Sequence, residues 1–163
     1  MADDPAPRPI PTLVPFQLYA AGRLMERELT DRLGALGLTM RLVGILGHLT
    51  RASALSYSEL ARRADVSVQS MHGSIRPLIA EGIVEGVGTA GQAAQLSITA
   101  TGRATLDRAQ AVIAAYEDEL MGAAGIPEEE LRAAAHSTLL AAWRAAGGDP
   151  ELPGPPPPGS PAA

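Results

Sequence analysis

The chain has 163 residues, of which 46% are hydrophobic and only 3% aromatic, and its formal net charge is −5. This length allows one domain, or one domain with a helical extension. Because aromatic residues are so few, a packed interior must be built from Leu, Ile, Val, Ala and Met, which favours a mainly helical fold.

Composition also excludes several classes of protein. The chain has no cysteine, and thus neither a disulfide framework nor a thiolate nucleophile, and His48, His72 and His136 lack metal-ligand spacing. No run of about 18 apolar residues occurs, and the acidic, proline-rich start is unlike a signal peptide. We therefore expect a soluble cytoplasmic protein that contacts no membrane and needs no metal or other cofactor.

The charges are distributed unevenly along the chain. Residues 38–104 carry six arginines and four acidic residues, whereas residues 105–163 carry three arginines and nine acidic residues. Every basic residue is arginine, which suits forked contacts with phosphate or guanine, although compositional bias explains the absence of lysine better. A nucleic-acid contact therefore fits the mildly basic middle of the chain better than its acidic end.

The chain begins and ends with proline-rich segments. Residues 1–12 contain four prolines and are expected to form a disordered arm, and residues 147–163 are expected to form a disordered tail. The proline run in the tail could dock into an aromatic groove, but a solvated tail is the favoured interpretation.

Apolar spacing predicts four helices before residue 83. The first covers about residues 13–36, and the second, strongly apolar, follows with Thr39 as its N-cap. Ser56 or Ser58 can cap a third helix that ends near Ala64. The fourth runs from a Ser67 cap to Gly82, where glycine suits a left-handed end.

A β-hairpin and two more helices are predicted to follow. The β-branched stretches 83–87 and 95–98 flank a glycine-rich turn. Thr99 can cap a fifth helix over about residues 100–122, and a sixth helix has Pro127 at its first position and ends at Gly147. The predicted order is α-α-α-α-β-β-α-α, a mainly α fold with a small β-hairpin wing.

The third and fourth helices have the pattern of a helix-turn-helix motif. In this motif the first helix braces a second helix whose outer face enters the major groove, so the buried positions must be small or apolar. Asp65, in the turn, is among the few residue types that tolerate left-handed backbone. The inward residues are predicted to be Leu60, Ala61, Ala64, Val66, Met71, Ile75, Leu78 and Ile79.

Over residues 38–106 the chain resembles the MarR family of winged helix-turn-helix regulators. The segments "LTMRLVGIL", "YSELARRADVSVQSM", "LIAEGIVEGV" and "LSITATGRATL" follow that family's order and spacing. The resemblance implies a DNA-binding lobe at 38–99 and a helical dimerisation region at 13–37 and 100–146. It further implies a homodimer, a pseudo-palindromic operator in double-stranded DNA, and often a small-molecule cleft between the two regions.

Two features depart from the family pattern. The predicted wing "GVGTAGQAAQ" carries no charge, so it lacks the arginine with which family wings reach the minor groove. Pro77, within the fourth helix, removes a hydrogen bond to the carbonyl of Gly73 and disfavours helical geometry at Arg76, at a cost of about 3 kcal/mol if unrelieved. We expect a kink near residues 73–77, and Pro77 itself lies beyond the first two turns of the helix, which face the groove.

The exposed face of the fourth helix supplies the candidate DNA contacts. Gln69 can pair with adenine and Val68 can contact a thymine methyl, whereas the serines suit phosphate and the basic side chains suit either partner. An ordinary solvated face is the alternative. The predicted DNA-binding residues are Ser67, Val68, Gln69, Ser70, His72 and Arg76.

Three further residues are candidates for a ligand cleft. Tyr19 on the first helix, with Arg41 and His48 on the second, could hold a small aromatic or acidic ligand. A packed tyrosine and partly exposed charges are the favoured alternative. His136 and Trp143, seven residues apart on the last helix, are interpreted as dimer packing.

Three functions remain, in descending order of support. The first is a dimeric transcriptional regulator, a repressor, which a small ligand releases from DNA. The second is a ligand- or partner-binding protein derived from such a regulator that has lost DNA affinity. The third, an enzyme, is not supported because the sequence has no nucleophile elbow, phosphate-binding glycine loop or paired carboxylates with a histidine.

Overall fold

The structure is a computed structural model that describes residues 8–52, 54–87 and 95–147. The predicted wing tip, most of the arm and nearly all of the tail lie outside these residues. In chain order the elements are a 3-10 turn (Ile10–Thr12), α1 (Val14–Gly34), α2 (Met40–Thr50), β1 (Leu55–Ser56), α3 (Tyr57–Arg63), α4 (Val68–Ala80), β2 (Val84–Val87), β3 (Gln95–Ile98), α5 (Ala100–Ala124) and α6 (Glu128–Ala145).

The chain divides into two compact units, residues 1–40 and 41–163. The first consists mainly of α1, preceded by the turn in which Thr12 donates two hydrogen bonds to the Pro9 carbonyl. Helix α1 is stabilised by ion pairs between side chains three or four residues apart, such as Arg32 with Glu28 at 2.7 Å.

The core of the second unit lies between α2, α3, α4, the sheet and the start of α5. As the composition requires, it is aliphatic, and it confirms the predicted inward residues except Ile79, which is 40% exposed. Ile79 lies at the edge of the apolar stripe of α4, and that stripe is wider than the arc of the helix that the core covers. The buried members are Ile45, Leu46, Leu49, Leu55, Leu60, Ala61, Met71, Ile75, Leu78, Ile83, Val84, Leu96, Ile98 and Leu106.

The sheet contains one strand more than the predicted hairpin. Its order is β1-β3-β2, and both pairings are antiparallel. The two-residue β1 places Leu55 opposite Leu96, and both side chains are buried. A strand this short has no sequence period of its own, which is why hydrophobic alternation did not predict it.

Side-chain caps define the helix starts around the motif. Ser56, rather than Ser58, caps α3: its hydroxyl accepts from the Glu59 N–H at 3.2 Å, while the Glu59 carboxylate accepts from the Ser56 N–H, also at 3.2 Å. The hydrogen bonds that this carboxylate accepts lower the pKa of Glu59. Ser67 caps α4 by accepting from the Ser70 N–H at 3.1 Å, as the sequence predicted.

The junction from β3 to α5 is tightly packed. Thr99 caps α5 by accepting from the Gly102 N–H at 3.0 Å, and its hydroxyl donates to the Gly82 carbonyl at 2.6 Å. A Cβ added at Gly102 would collide with the main-chain oxygen of Ile83, so only glycine fits this close approach.

The last two helices are linked by one arginine. Arg132 of α6 donates to Glu117 of α5 at 2.6 Å and to Glu128 on its own helix at 2.8 Å. Pro127 lies one residue before α6, and the prediction that it is the first helical residue was wrong. Its ψ of 137° is extended rather than helical, while its carbonyl accepts the first hydrogen bonds of the helix.

The capping box predicts a stability difference between two neighbouring serines. Ser56→Ala should lower the free energy of unfolding by about 1 kcal/mol, because the Glu59 N–H loses its acceptor. Ser58→Ala, the matched control, should change it by less than about 0.5 kcal/mol. Urea unfolding followed by circular dichroism measures both, and equal effects of the two substitutions would contradict the assignment.

Candidate nucleic-acid interface

The core side of α4 fixes which residues the helix presents to solvent. Met71, Ile75 and Leu78 are buried to 2% exposure or less. At roughly 100° per residue, the opposite side of the helix carries Gln69, Gly73, Arg76 and Ala80. All four of these residues are exposed, so the outward face presents two polar side chains, Gln69 and Arg76, of which only Arg76 is charged.

The structure places all six predicted DNA-binding residues on the surface of α4 or at its start. Gln69 and Arg76 lie near the centre of the outward face, and Val68, 41% exposed, lies near the first turn. Ser67 is partly committed to capping, although its hydroxyl can still donate. The six residues are thus accessible together, and their contact with DNA stays a prediction.

His72 is held by a residue that the sequence analysis missed. The rings of Tyr57, at the start of α3, and His72, on α4, stack with centroids 3.9 Å apart and planes 17° apart. This contact orients the imidazole at the side of the outward face and links the two helices of the motif. The available sequence signal was an aromatic residue directly after the Ser56 cap, but the pairing depends on how α3 and α4 cross.

Pro77 does not interrupt α4, which continues as one helix from Val68 to Ala80. The expected kink near residues 73–77 stays a prediction. Both Gly73 and Pro77 are exposed, and a Cβ placed on Gly73 would have no neighbour within 4 Å.

The wing is described only at its base. Glu85 on β2 accepts a hydrogen bond from the Ser97 hydroxyl on β3 at 3.2 Å, and Val87 pairs with Gln95 at the outer end of the ladder. The uncharged tip, residues 88–94, lies outside the described residues. Its role in DNA binding therefore stays a prediction.

The candidate ligand residues belong to different units. Tyr19, 67% exposed, lies on α1 in the first unit, whereas Arg41 and His48 lie on α2. Arg41 is exposed and His48 is half-buried, and they are about two turns apart on one side of the helix. A shared ligand site for the three residues stays a prediction.

The surroundings of His48 are basic. Partial burial lowers the pKa of His48, and the charges of Arg51 and Arg63 lower it further, against a hydrogen bond with the Arg63 main chain. His48 therefore favours its neutral form, which can accept a hydrogen bond from a ligand. Within residues 8–52, 54–87 and 95–147, no cluster of three or more His, Asp or Glu side chains could hold a metal ion.

The hydropathy of a helix determines whether it can cross a membrane. None of the helices in the described parts of the chain combines the length and apolar character that crossing a bilayer requires.

Comparison with known proteins gives the same fold. A family model described as winged helix-turn-helix DNA-binding matches residues 42–85. The HTH-type transcriptional repressor Rv2887 of Mycobacterium tuberculosis is 32% identical over 116 residues, which cover 70% of this chain and 84% of that protein. Such relatives are transcriptional regulators, not enzymes.

Solved structures extend the similarity to three dimensions. The crystal structure of the M. tuberculosis MarR family protein Rv2887 in complex with DNA is 29% identical, with a TM-score of 0.67, covering 78% of this chain and 98% of that one. Rv2887 in complex with salicylic acid has a TM-score of 0.62 at 29% identity and covers 78% of this chain and 96% of that one. MepR of Staphylococcus aureus, 14% identical with a TM-score of 0.68, shares the fold over 80% of this chain and 98% of its own.

Proposed function

Because the chain belongs to the MarR family of winged helix-turn-helix transcriptional regulators, we propose that it is a dimeric repressor that reads a pseudo-palindromic operator with α4. The observation that carries this proposal is the outward face of α4, which is exposed and presents Gln69 and Arg76, while its opposite side is buried in the core. A capped helix that packs firmly against the core of such a lobe fits into the major groove of DNA.

The chemistry of that face supports readout of bases more than binding by charge. Gln69 offers the amide that pairs bidentately with adenine, and Arg76 offers the guanidinium that pairs with guanine. Arg76 is the only charged side chain on the outward face defined by residues 69, 73, 76 and 80. Such a surface neutralises few phosphates, so affinity must depend more on base contacts than on counterion release.

Exposed apolar surface on the long helices supports a dimer. The 18-residue helix α6 has no buried residue, although Leu139 is apolar and 53% exposed. A helix with no buried face gains little stability from packing within one chain. Exposed large apolar side chains on or beside the long helices also include Val14, Phe16, Leu18 and Leu24 on α1, Leu120 on α5, and Ile126 before α6.

The proposed effector is a small aromatic acid. Arg41 offers an exposed guanidinium to a carboxylate, and neutral His48 offers an acceptor to a hydroxyl group. Salicylic acid, with which the related Rv2887 forms a crystallised complex, carries both groups on one ring. It is therefore the probe of choice for this chain.

The alternative is a family member that has lost DNA affinity. Its support is the uncharged wing sequence and the proline in α4. The two functions differ in a single measurement, which is whether the full chain enriches any sequence from a pool of random DNA duplexes.

The first prediction concerns the outward face of α4. The full chain should select one sequence class from random DNA duplexes, and Gln69→Ala with Arg76→Ala should weaken binding to it by at least about 100-fold, since each good base contact is worth about 1–3 kcal/mol. Fluorescence anisotropy titration measures this. Glu81→Ala, just past the end of α4, is the control and should keep near wild-type affinity; failure to select any sequence would favour the alternative function.

A second prediction concerns the effector. Salicylate should reduce the affinity of the full chain for the selected duplex, because ligand and DNA favour different arrangements of the protein. Arg41→Gln should diminish this release without preventing DNA binding, whereas Arg144→Gln, near the end of α6, should leave it intact. Salicylate without effect on the titration up to millimolar concentration would contradict this part of the proposal.

The dimer gives a third prediction. In sedimentation velocity at micromolar concentration the chain should have twice the mass of its 16.8 kDa monomer. Leu139→Arg should shift it toward the monomer, because a charge would enter the proposed apolar contact. Ser137→Arg, on the other side of α6, adds the same charge as a control and should keep the dimer; a monomeric wild-type chain would refute the proposal.

A further inference from the structure

Pro77 leaves one main-chain acceptor of α4 without its usual partner. In an α-helix the N–H of each residue donates to the carbonyl four positions earlier, and Pro77 has no N–H to donate to Gly73. Among the described residues, no side chain donates a hydrogen bond to the Gly73 carbonyl either; the hydroxyl of Ser74, its neighbour, donates to Ser70 instead. The carbonyl of Gly73 therefore lacks its usual main-chain donor.

Gly73 lies on the side of α4 away from the core. Gly73 is roughly 200° around the helix from the buried Met71, between Gln69 one turn before it and Arg76 about one turn after it. Gly73 and Pro77 are both exposed. An acceptor at this position stands in the middle of the residues that we assign to base readout.

The fold itself does not require glycine at residue 73. A Cβ there would meet no atom within 4 Å, and Gly73 is not among the residues with positive φ. Glycine within a helix is destabilising relative to alanine, as is proline. Two helix-disfavouring residues thus combine, four positions apart, and one carbonyl of the helix is left without its main-chain donor.

The chemistry of the major groove identifies what this acceptor would bind. Cytosine and adenine present exocyclic amino groups there, N4 and N6, whereas the corresponding positions of guanine and thymine are acceptors. We propose that α4 reads one such amino group in each half-site through the Gly73 carbonyl, which Pro77 leaves without its helical donor. This inference rests on the proposed function, since it requires α4 to lie in the major groove.

The test combines a protein change with a base change. Duplexes of the selected sequence are synthesised with purine in place of adenine, or 2-pyrimidinone in place of cytosine, at one position at a time, which removes a single amino group. For the wild-type chain, one of these replacements should weaken binding by about 10-fold, a free-energy loss of about 1.4 kcal/mol. The analogue that weakens binding identifies whether the contacted base is adenine or cytosine.

Pro77→Ala is the informative variant, because it restores the N–H and closes the helical bond to Gly73. It should bind the intact duplex about 10-fold more weakly and lose its sensitivity to that one amino group, while its melting temperature rises. Gly73→Ala should likewise raise the melting temperature and weaken binding, because its methyl group hinders close approach. Gln69→Ala, the matched control, should keep the sensitivity to that amino group and lose sensitivity at a different base pair.

The outcomes separate this inference from the proposed function. A chain that selects DNA, but whose Pro77→Ala variant keeps the same dependence on every amino group, overturns the inference alone. Melting temperature and affinity that rise together in the Gly73→Ala and Pro77→Ala variants also overturn it, since they indicate a purely structural role. A chain that selects no DNA overturns both.

Discussion

The packing of one side of α4 against the core determines most of what the second unit can do. Met71, Ile75 and Leu78 enter an aliphatic cluster to which the sheet, α2 and α3 contribute. Burial of such side chains is worth about 1.5–3 kcal/mol each, so rotation of α4 about its axis is strongly opposed. The residues on its opposite side are consequently fixed in direction, although they make few contacts of their own.

The two ends of α4 are fixed by different means. At the start, Ser67 satisfies the Ser70 N–H and Asp65 turns the chain with a φ of 50°. At the end, Gly82 has a φ of 67° and its carbonyl accepts from the Thr99 hydroxyl at the start of α5. The proposed reading helix and a proposed dimer helix are therefore joined by a short hydrogen-bonded path.

Local signals in the sequence predicted the parts of the fold that depend on local chemistry. Serine and threonine before apolar periods identified the caps at Ser67 and Thr99, and Asp65 and Gly82 have the predicted left-handed backbone. These features follow from backbone groups within four residues of the side chain, so sequence spacing is enough to find them. Features that depend on how elements meet in space were missed: Tyr57 stacks on His72 across two helices, and β1 forms only where β3 passes beside it. Of the candidate site, the outward residues could thus be predicted from helical period, while the orientation of His72 could not.

At Gly73 and Pro77, local helix propensity and the packing of α4 against the core have opposite effects. Helix propensity alone disfavours both residues within α4, yet the helix continues through them because its inner side is so fully buried. Sequences that fold well are generally consistent from local preference to global packing, and exceptions concentrate where a function requires them. Gly73 lies on the outward face, where neither space nor backbone geometry requires a glycine, and Pro77 is exposed as well. These two residues are such an exception. The stability supplied by the buried side of α4 allows the helix to continue although Pro77 donates no hydrogen bond to the Gly73 carbonyl.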